Sequence, residues 1–252
     1  MDERTTEVSG LAEELRRLHA GAMLVLPNVW DAASAQVVAD EGFAAAATAS
    51  AAVTAMLGYP DGHGAPWQEM FAANARVARA VSIPVSMDAE GGYGLSPSDL
   101  VGQLVAIGVV GCNLEDTDHV GGGLLDAASH AQWLREVREA ASQIGVPLVI
   151  NARVDVFLPT SRIDQGDRLT EAVRRGRLYR EAGADCIYPI AVRDRATIAS
   201  LVKEIDAPIN GNTSPELNLQ TLADAGVARV SYGPTFYRAG MAEFARAIRS
   251  LS

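Results

Sequence analysis

Acidic side chains stand directly after two short apolar runs, where a buried strand would end. Asp88 and Glu90 follow the run that starts at Val85, Glu115 closes the next run, and Asp61 lies in an earlier loop. Carboxylates gathered in one dry pocket repel each other unless a hard divalent cation neutralises them. The pattern therefore predicts a magnesium site at Asp88, Glu90 and Glu115, with manganese as the alternative ion. Any one of these acids taken alone could instead be a helix cap or a surface-loop residue.

Two further runs end in groups that recognise anions or polar ligands. Arg153 follows an apolar run, and its guanidinium could bind a carboxylate or a phosphonate through two hydrogen bonds. A buried ion pair with Asp155 or Glu115 is the alternative, and both could hold at once. Asn212 and Ser214 follow a later run.

Two side chains are candidates for proton transfer. His119 lies in a loop with three consecutive glycines, Gly121–Gly123, which suggests a hinged lid, and imidazole titrates near neutral pH. Tyr93, among the glycines after Glu90, is the second candidate acid. The alternatives are an exposed histidine without a task and a tyrosine that packs over the glycine turn.

The elements that must position these residues alternate along the whole chain. Strand-like apolar runs are separated by helical patterns, which is typical of a parallel sheet. A doubly wound sheet normally has five or six strands and a glycine-rich first turn, whereas Pro27–Asp31 follows the first run here. Eight strands instead predict a (β/α)8 TIM-type barrel, in which the strand ends converge on one face. The predicted strands are Met23–Leu26, Ala44–Thr48, Val85–Asp88, Gly111–Glu115, Leu148–Ala152, Cys186–Pro189, Pro208–Gly211 and Arg229–Tyr232.

Length and composition agree with a single barrel domain over residues 1–252, with residues 1–10 flexible. A net charge of −10 argues against nucleic acid or an anionic membrane surface as a partner. No run is long and apolar enough to span a membrane, so we expect a soluble, cytoplasmic protein. Cys112 and Cys186 each lie in a strand-like run, which disfavours a disulfide.

Five segments in their order resemble the isocitrate lyase/phosphoenolpyruvate mutase superfamily over roughly residues 20–240. They are Leu26–Ala35, Leu57–Asp61, Asp88–Gly94, Asn113–Asp116 and Asn151–Asp155.

The resemblance implies a barrel with magnesium near Asp88, helped through water by Glu90 and Glu115, with Asp61 close to the site. It also implies a homotetramer whose last helix, here Met241–Leu251, is exchanged between subunits. The residues that it implies for substrate binding are Ser50 with the backbone of Ala51, Asp88, Arg153, Asn212 and Ser214.

The loop after the fourth strand departs from the characterised members. Isocitrate and methylisocitrate lyases carry a Lys-Lys/Arg-Cys-Gly-His sequence there, and the mutases carry a lysine- and asparagine-bearing loop. Thr117–Asp126 contains neither. Cys112 cannot replace the missing cysteine, because strand alternation with Glu115 inward turns it toward the helices.

These observations favour a magnesium-dependent carbon–carbon lyase (EC 4.1 type) for a small 2-oxo acid or a malate- or oxaloacetate-like dicarboxylate. The expected catalytic residues are Asp61, Tyr93, Glu115, His119 and Arg153. One alternative is a phosphonopyruvate-type mutase or hydrolase that cleaves a phosphorus–carbon bond. Another is a barrel that binds a 2-oxo acid without turnover.

Overall fold

The computed structural model describes residues 3–251. Its strands are β1 (Leu24–Leu26), β2 (Asn28–Val29), β3 (Ala46–Thr48), β4 (Val85–Asp88), β5 (Gly111–Glu115), β6 (Val149–Val154), β7 (Cys186–Pro189), β8 (Asn210–Asn212) and β9 (Arg229–Ser231). Its helices are α1 (Glu3–His19), α2 (Ala32–Asp40), α3 (Ser50–Leu57), α4 (Trp67–Ala80), α5 (Pro97–Ala106), α6 (Ala127–Ile144), α7 (Arg168–Glu181), α8 (Arg195–Ile205), α9 (Leu219–Asp224) and α10 (Thr235–Arg249). Short 3₁₀ turns cover Gly92–Gly94, Asp155–Phe157 and Pro159–Ser161.

The strands form two parallel ladders, β1-β9-β8 and β2-β3-β4-β5-β6-β7. They separate at Pro27, which has no N–H to donate. Strand β1 matches the first predicted strand, Met23–Leu26, whereas β2 lies in the segment that was expected to follow it. The Pro27 carbonyl still accepts from Ala47 N at 3.1 Å. At the other seam Ile187 pairs with Ile209 in a single parallel bridge. With β1 and β2 counted as one strand, the order is that of the predicted TIM-type barrel, which is confirmed.

Asn28 ties the ladders together beside Pro27. Its Oδ1 accepts from Tyr232 N at 2.6 Å and Gly233 N at 3.1 Å, and its Nδ2 donates to Thr48 O at 2.8 Å. One buried amide thus joins the ends of β9 and β3 to the first strand.

Polar side chains cross the inside of the barrel. Asn151 Nδ2 donates to Asn113 Oδ1 at 2.8 Å and to Asn210 Oδ1 at 3.3 Å. Arg229 Nη2 donates to Ser86 Oγ at 3.3 Å. The Asn151–Asn113 bond joins the neighbouring strands β6 and β5. The other two bonds link strands that are not neighbours in the sheet, so they must span the interior of the barrel.

The alternate residues of the same strands face the helices. Cys112 is fully buried in the apolar layer between sheet and helices, as predicted, together with Leu114, Ile150 and Ala152. Cys112 and Cys186 are both free and buried.

Helix ends follow the local signals in the sequence. Ser96 Oγ accepts from Asp99 N at 3.1 Å, with Pro97 in the first turn of α5. Asp126 caps α6 in the same way, and Gly145 ends it in the left-handed conformation.

The chain termini differ from the interior of the fold. Residues 3–10 belong to the segment expected to be flexible, yet they form the first half of α1, and Val8 is buried. Residues 1–2 of that segment lie outside the described residues.

Helix α10 has no buried residue within this chain. In residues 3–251 no helix combines the length and apolarity that a bilayer crossing requires.

Candidate active site

A cleft of about 520 Å³ opens at the carboxyl ends of the strands. Such a position is where barrel enzymes build their sites. The predicted residues that line it are Ser50, Ala51, Asp61, Asp88, Arg153, Asn212 and Ser214. Glu90, Tyr93, Glu115 and His119 do not line the cleft but adjoin it through contacts described below.

Asp88, the last residue of β4, lies at the base of the cleft and is 8% exposed. Its Oδ2 accepts from the backbone N of Ser50 at 3.0 Å and from Ser50 Oγ at 2.8 Å. Its Oδ1 accepts from Asn113 Nδ2 at 3.3 Å. Ser50 begins α3, so the positive end of that helix faces the carboxylate. Ser50, expected to hold substrate, here orients Asp88.

Arg153 takes part in the buried ion pairs that were the alternative to substrate binding, and it also lines the cleft. Its Nε and Nη2 each donate to a carboxylate oxygen of Asp155 at 2.7 Å. Its Nη2 lies 2.5 Å from Glu115 Oε2, outside hydrogen-bond geometry, and its Nη1 lies 3.9 Å from Asp88 Oδ1. Burial by itself would lower the pKa of Arg153, but Glu115 and Asp155 raise it. Arg153 therefore stays charged.

His119 contacts Glu115 instead of pointing into solvent. Its Nε2 lies 2.6 Å from Glu115 Oε1, and its side chain is 14% exposed. The hydrogen bond to Glu115 raises the pKa of His119, while burial acts in the opposite direction. The geometry disfavours an exposed histidine without a task.

Glu90 is 1% exposed and has a positive φ of 48°. It accepts from the backbone N of His63, and Tyr93 Oη donates to its Oε1 at 3.3 Å. Burial, the largest cause, raises the pKa of Glu90 to about 7, and Asp88 and Glu115 contribute. Burial also raises the pKa of Tyr93.

Asn212 and Ser214 lie at another part of the lining. Tyr188 Oη donates to Asn212 Oδ1 at 2.8 Å, and Asn212 Nδ2 donates to Ser231 O at 2.8 Å. Ser214 Oγ accepts from Leu217 N at 3.2 Å. Both side chains are thus held in place at the mouth of the barrel.

The glycine run after β5 is an ordered turn in this structure. Thr117 and Leu124 form an antiparallel bridge, and Asp118 N donates to Gly123 O at 3.0 Å. Asp118 Oδ1 also accepts from Gly121 N at 2.7 Å. The hinged lid predicted here stays a prediction.

Sequence reasoning missed His63. Its ring stacks on His119 with centroids 3.9 Å apart and on Tyr93 at 4.9 Å. The one signal in the sequence that could have identified it is its position two residues after Asp61. Asn28, Asn113 and Tyr188 were also missed as supports of the site, although polar residues inside a barrel strand were a usable signal.

The donor set suits a divalent cation. Arg153 lies within 4 Å of three carboxylates, those of Asp88, Glu115 and Asp155, so negative charge exceeds positive charge there. Glu90 adds a buried carboxyl group, whose pKa is raised mainly by burial and further by the neighbouring carboxylates Asp88 and Glu115. Hard oxygen donors of this kind are the ligands that Mg²⁺ or Mn²⁺ prefers. In addition, His63, Glu90 and His119 form a group that could hold a metal ion.

Comparisons with known proteins agree with this site. The family model described as phosphoenolpyruvate phosphomutase matches residues 15–252. An uncharacterised protein of Mycobacterium tuberculosis is 33% identical over 234 residues, which cover 93% of this chain and 86% of that protein. A 2-methylisocitrate lyase of Halalkalibacterium halodurans is 27% identical over 250 residues, 94% of this chain and 80% of the lyase.

A solved structure from Burkholderia cenocepacia J2315, provisionally described as a phosphonomutase, superposes with a TM-score of 0.86 at 37% identity. The match covers 94% of this chain and 98% of that one. The similarity to lyases and mutases supports an enzyme of one of these kinds. The chain therefore belongs to the phosphoenolpyruvate phosphomutase family, within the isocitrate lyase/phosphoenolpyruvate mutase superfamily.

Proposed function

We propose that the protein is a magnesium-dependent carbon–carbon lyase acting on a small 2-oxo acid or a malate- or oxaloacetate-like dicarboxylate. One observation carries the proposal. Asp88, Glu115 and Arg153 meet at the end of the cleft, beside the first backbone N–H groups of α3. This arrangement combines an oxygen-rich cation site with donors for a carboxylate.

The backbone of Ala51 would bind the substrate carboxylate at the positive end of α3, while Ser50 holds Asp88 in place. Arg153 would orient the substrate and supply fixed positive charge near its carbonyl oxygen. Asp88, Glu90 and Glu115 would hold the divalent ion directly or through its waters. When bound, that ion would stabilise the negative charge that develops on the carbonyl oxygen as the bond breaks.

Proton transfer falls to residues around Glu115. His119, whose pKa the hydrogen bond to Glu115 raises, would donate a proton to the carbon left by cleavage. Tyr93 is the second donor in reach of the same carboxylate cluster, through Glu90. Cleavage of a 2-hydroxy acid also needs a base for the hydroxyl proton, and we assign that role to Asp61 in the cleft lining. A decarboxylation would not need it.

The other end of the cleft would hold the distal part of the substrate. Asn212 is fixed by Tyr188, and Ser214 lines the same opening. These polar groups suit a second carboxylate or a hydroxyl group.

We also propose a cytoplasmic location, because the buried free thiols of Cys112 and Cys186 suit a reducing compartment.

The test is pyruvate or oxalate release from a panel of oxaloacetate, malate and 2-methylated malate analogues. We expect turnover that requires Mg²⁺ and falls at least about 100-fold in Asp88→Ala, while the surface variant Asp40→Asn keeps wild-type turnover. Turnover that is indifferent to chelation and to Asp88→Ala would contradict the proposal. Tight calorimetric binding of oxalate without turnover on any panel member would instead favour a binding protein.

Chemistry at a phosphorus–carbon bond is the second candidate. The matched family model and the guanidinium of Arg153, which suits a phosphonate, favour it. Phosphorus NMR of phosphonopyruvate incubated with enzyme and Mg²⁺ separates the two candidates. New phosphorus resonances would support the mutase or hydrolase, and an unchanged spectrum would remove it.

A further inference from the structure

His63, Glu90 and His119 form a compact group beside the carboxylates of the proposed magnesium site; we call it the imidazole cluster. Each residue offers one ligand atom, and these atoms lie within 4.8 Å of one another. The two imidazole rings stack with centroids 3.9 Å apart. His63 Nε2 lies 3.9 Å from Glu90 Oε2. The family resemblance assigns no role to either histidine as a metal ligand.

We propose that the imidazole cluster binds a second divalent ion of the borderline class, such as Zn²⁺ or Co²⁺, beside the ion at Asp88, with the carboxylate of Glu90 shared between the two. Two imidazoles and one carboxylate suit these ions, whereas Mg²⁺ prefers oxygen ligands. Asp88 contributes only oxygen donors and no imidazole, so the two places differ in the ions they select.

The hydrogen bonds of His63 show that its ring is in the form that binds metals. The backbone N of Gly91 donates to His63 Nε2 at 3.2 Å. Nε2 therefore carries a lone pair and not a proton. An ion arriving at Nε2 would displace one backbone hydrogen bond but would not need to remove a proton from this residue.

Distance and access are compatible with an ion. A tetrahedral Zn²⁺ with ligands at about 2.1 Å needs ligand atoms about 3.4 Å apart, so atoms that are 4.8 Å apart must approach each other by about 1.4 Å. The side chains of His63 and His119 are 25% and 14% exposed, and both can rotate from the open side. Glu90, at 2%, is buried behind them and supplies the negative charge that favours a cation.

The bound ion would change what His119 can do. His119 Nε2 now contacts Glu115 Oε1 at 2.6 Å, and ligation through Nε2 would break that contact. An imidazole ligated through Nε2 cannot donate a proton from that nitrogen, the one that now faces Glu115. If the lyase proposal holds, Zn²⁺ should therefore inhibit magnesium-dependent turnover, but the metal site itself does not rest on that proposal.

The experiment is equilibrium dialysis of chelator-stripped protein against Zn²⁺ in the presence of excess Mg²⁺, with Co²⁺ absorption spectra as the readout of imidazole ligation. We expect one tightly held Zn²⁺ per chain and visible Co²⁺ bands. His63→Gln and His119→Gln should each weaken Zn²⁺ binding about 10- to 100-fold. Of the four histidines, His19 lies outside the cluster, so His19→Gln is the matched control and should bind as wild type.

Asp88→Ala separates this site from the proposed magnesium site. It should retain Zn²⁺ binding while losing magnesium-dependent turnover. Loss of Zn²⁺ binding in Asp88→Ala would overturn the proposal, because the ion would then lie at Asp88. Unchanged Zn²⁺ affinity in folded His63→Gln and His119→Gln, checked by circular dichroism, would overturn it as well. Glu90→Gln, which keeps the size of the side chain, should weaken Zn²⁺ binding and provides a third independent variant.

Discussion

Glu90 shows how strongly burial acts on single residues in this site. Its carboxyl group is 1% exposed and accepts hydrogen bonds from His63 N and Tyr93 Oη. These bonds do not offset the desolvation of the charged form, so the pKa of Glu90 rises to about 7. Without a bound cation the folded protein must either protonate Glu90 or bear an uncompensated charge.

The raised pKa of Glu90 makes the stability of the metal-free protein depend on pH. The unfolded chain releases this proton near pH 4.5, whereas the folded protein keeps it until about pH 7, so stability falls as pH rises across that window. Glu90→Gln removes the effect. With EDTA present, the free energy of unfolding of Glu90→Gln relative to wild type should rise by on the order of 1–3 kcal/mol between pH 4.5 and 8.

Urea unfolding at pH 4.5, 6 and 8 measures this difference. The exposed variant Glu41→Gln is the control and should show no such trend. A difference between Glu90→Gln and wild type that stays constant with pH would contradict the assignment of the raised pKa to Glu90. Excess Mg²⁺ should reduce the difference at pH 8, because a bound cation stabilises the ionised form of Glu90.

The turn after β4 is the element that sets the position of Glu90 and Tyr93. Both residues have positive φ, 48° and 55°, and Gly92 between them has φ 81°. A Cβ atom on Gly92 would lie 2.8 Å from the Trp133 ring. Gly94 also has a positive φ, 71°, but nothing lies within 4 Å of its Cβ position. Alanine substitutions at Gly94 and Gly92 therefore separate the cost of backbone strain from the cost of packing.

Gly94→Ala should cost about 1 kcal/mol, the strain of a left-handed alanine. Gly92→Ala should cost a further ~1–3 kcal/mol, because the new methyl group must displace Trp133. Thermal or urea unfolding of the two variants gives the comparison. Equal losses of stability in the two variants would mean that Trp133 moves aside without an energetic cost. Gly92→Ala should also lower turnover more than Gly94→Ala does, since it shifts the turn that carries Glu90.

At the scale of the whole molecule, one polar side chain supports the backbone ladders where the barrel closes. Asn28 makes three hydrogen bonds that connect the ends of β3 and β9 to the first strand, where Pro27 interrupts the ladder. Asn28→Ala should lower the free energy of unfolding by about 2–4 kcal/mol, because it leaves buried backbone groups without partners. Asn218→Ala, which removes only the cap of α9, should cost about 1 kcal/mol. Losses of similar size in the two variants would argue against this role for Asn28.

Helix α10 presents apolar side chains without a partner in this chain. Met241, Phe244 and Ile248 recur at helical spacing, and all three are exposed. A patch of this kind on a helix normally lies in an interface. We predict that α10 packs on another subunit of a homo-oligomer, in line with the tetramer and exchanged helix that the resemblance implies.

Phe244→Asp should lower the oligomeric state, measured by sedimentation velocity or light scattering, because a charge in an apolar interface is costly. Glu243→Ala, next to it on the same helix and involved in an ion pair with Arg246, serves as the control and should leave the assembly unchanged. A wild-type protein that sediments as a monomer would contradict the prediction.

Much of the fold could be predicted from local sequence patterns. The strand ends that carry Asp88, Glu115 and Arg153 were predicted to converge, and the barrel brings them together. The helix caps at Ser96 and Asp126 were equally readable. The catalytic and binding roles of these residues stay predictions, as do those of Asp61, Tyr93 and His119.

The sequence by itself determined the barrel, the inward face of the strand that carries Cys112 and Glu115, and the gathering of acids at one end. It could do so because strand alternation and helix caps depend only on near neighbours along the chain. Only the tertiary structure decided that Arg153 pairs with Asp155 and Glu115, that Asn28 closes the barrel beside Pro27, and that His63 stacks on His119. Arg153 and Asp155 are only two residues apart, but the other contacts join residues from different loops and strands. Their geometry follows from the path of the loops and from packing, which no local pattern encodes.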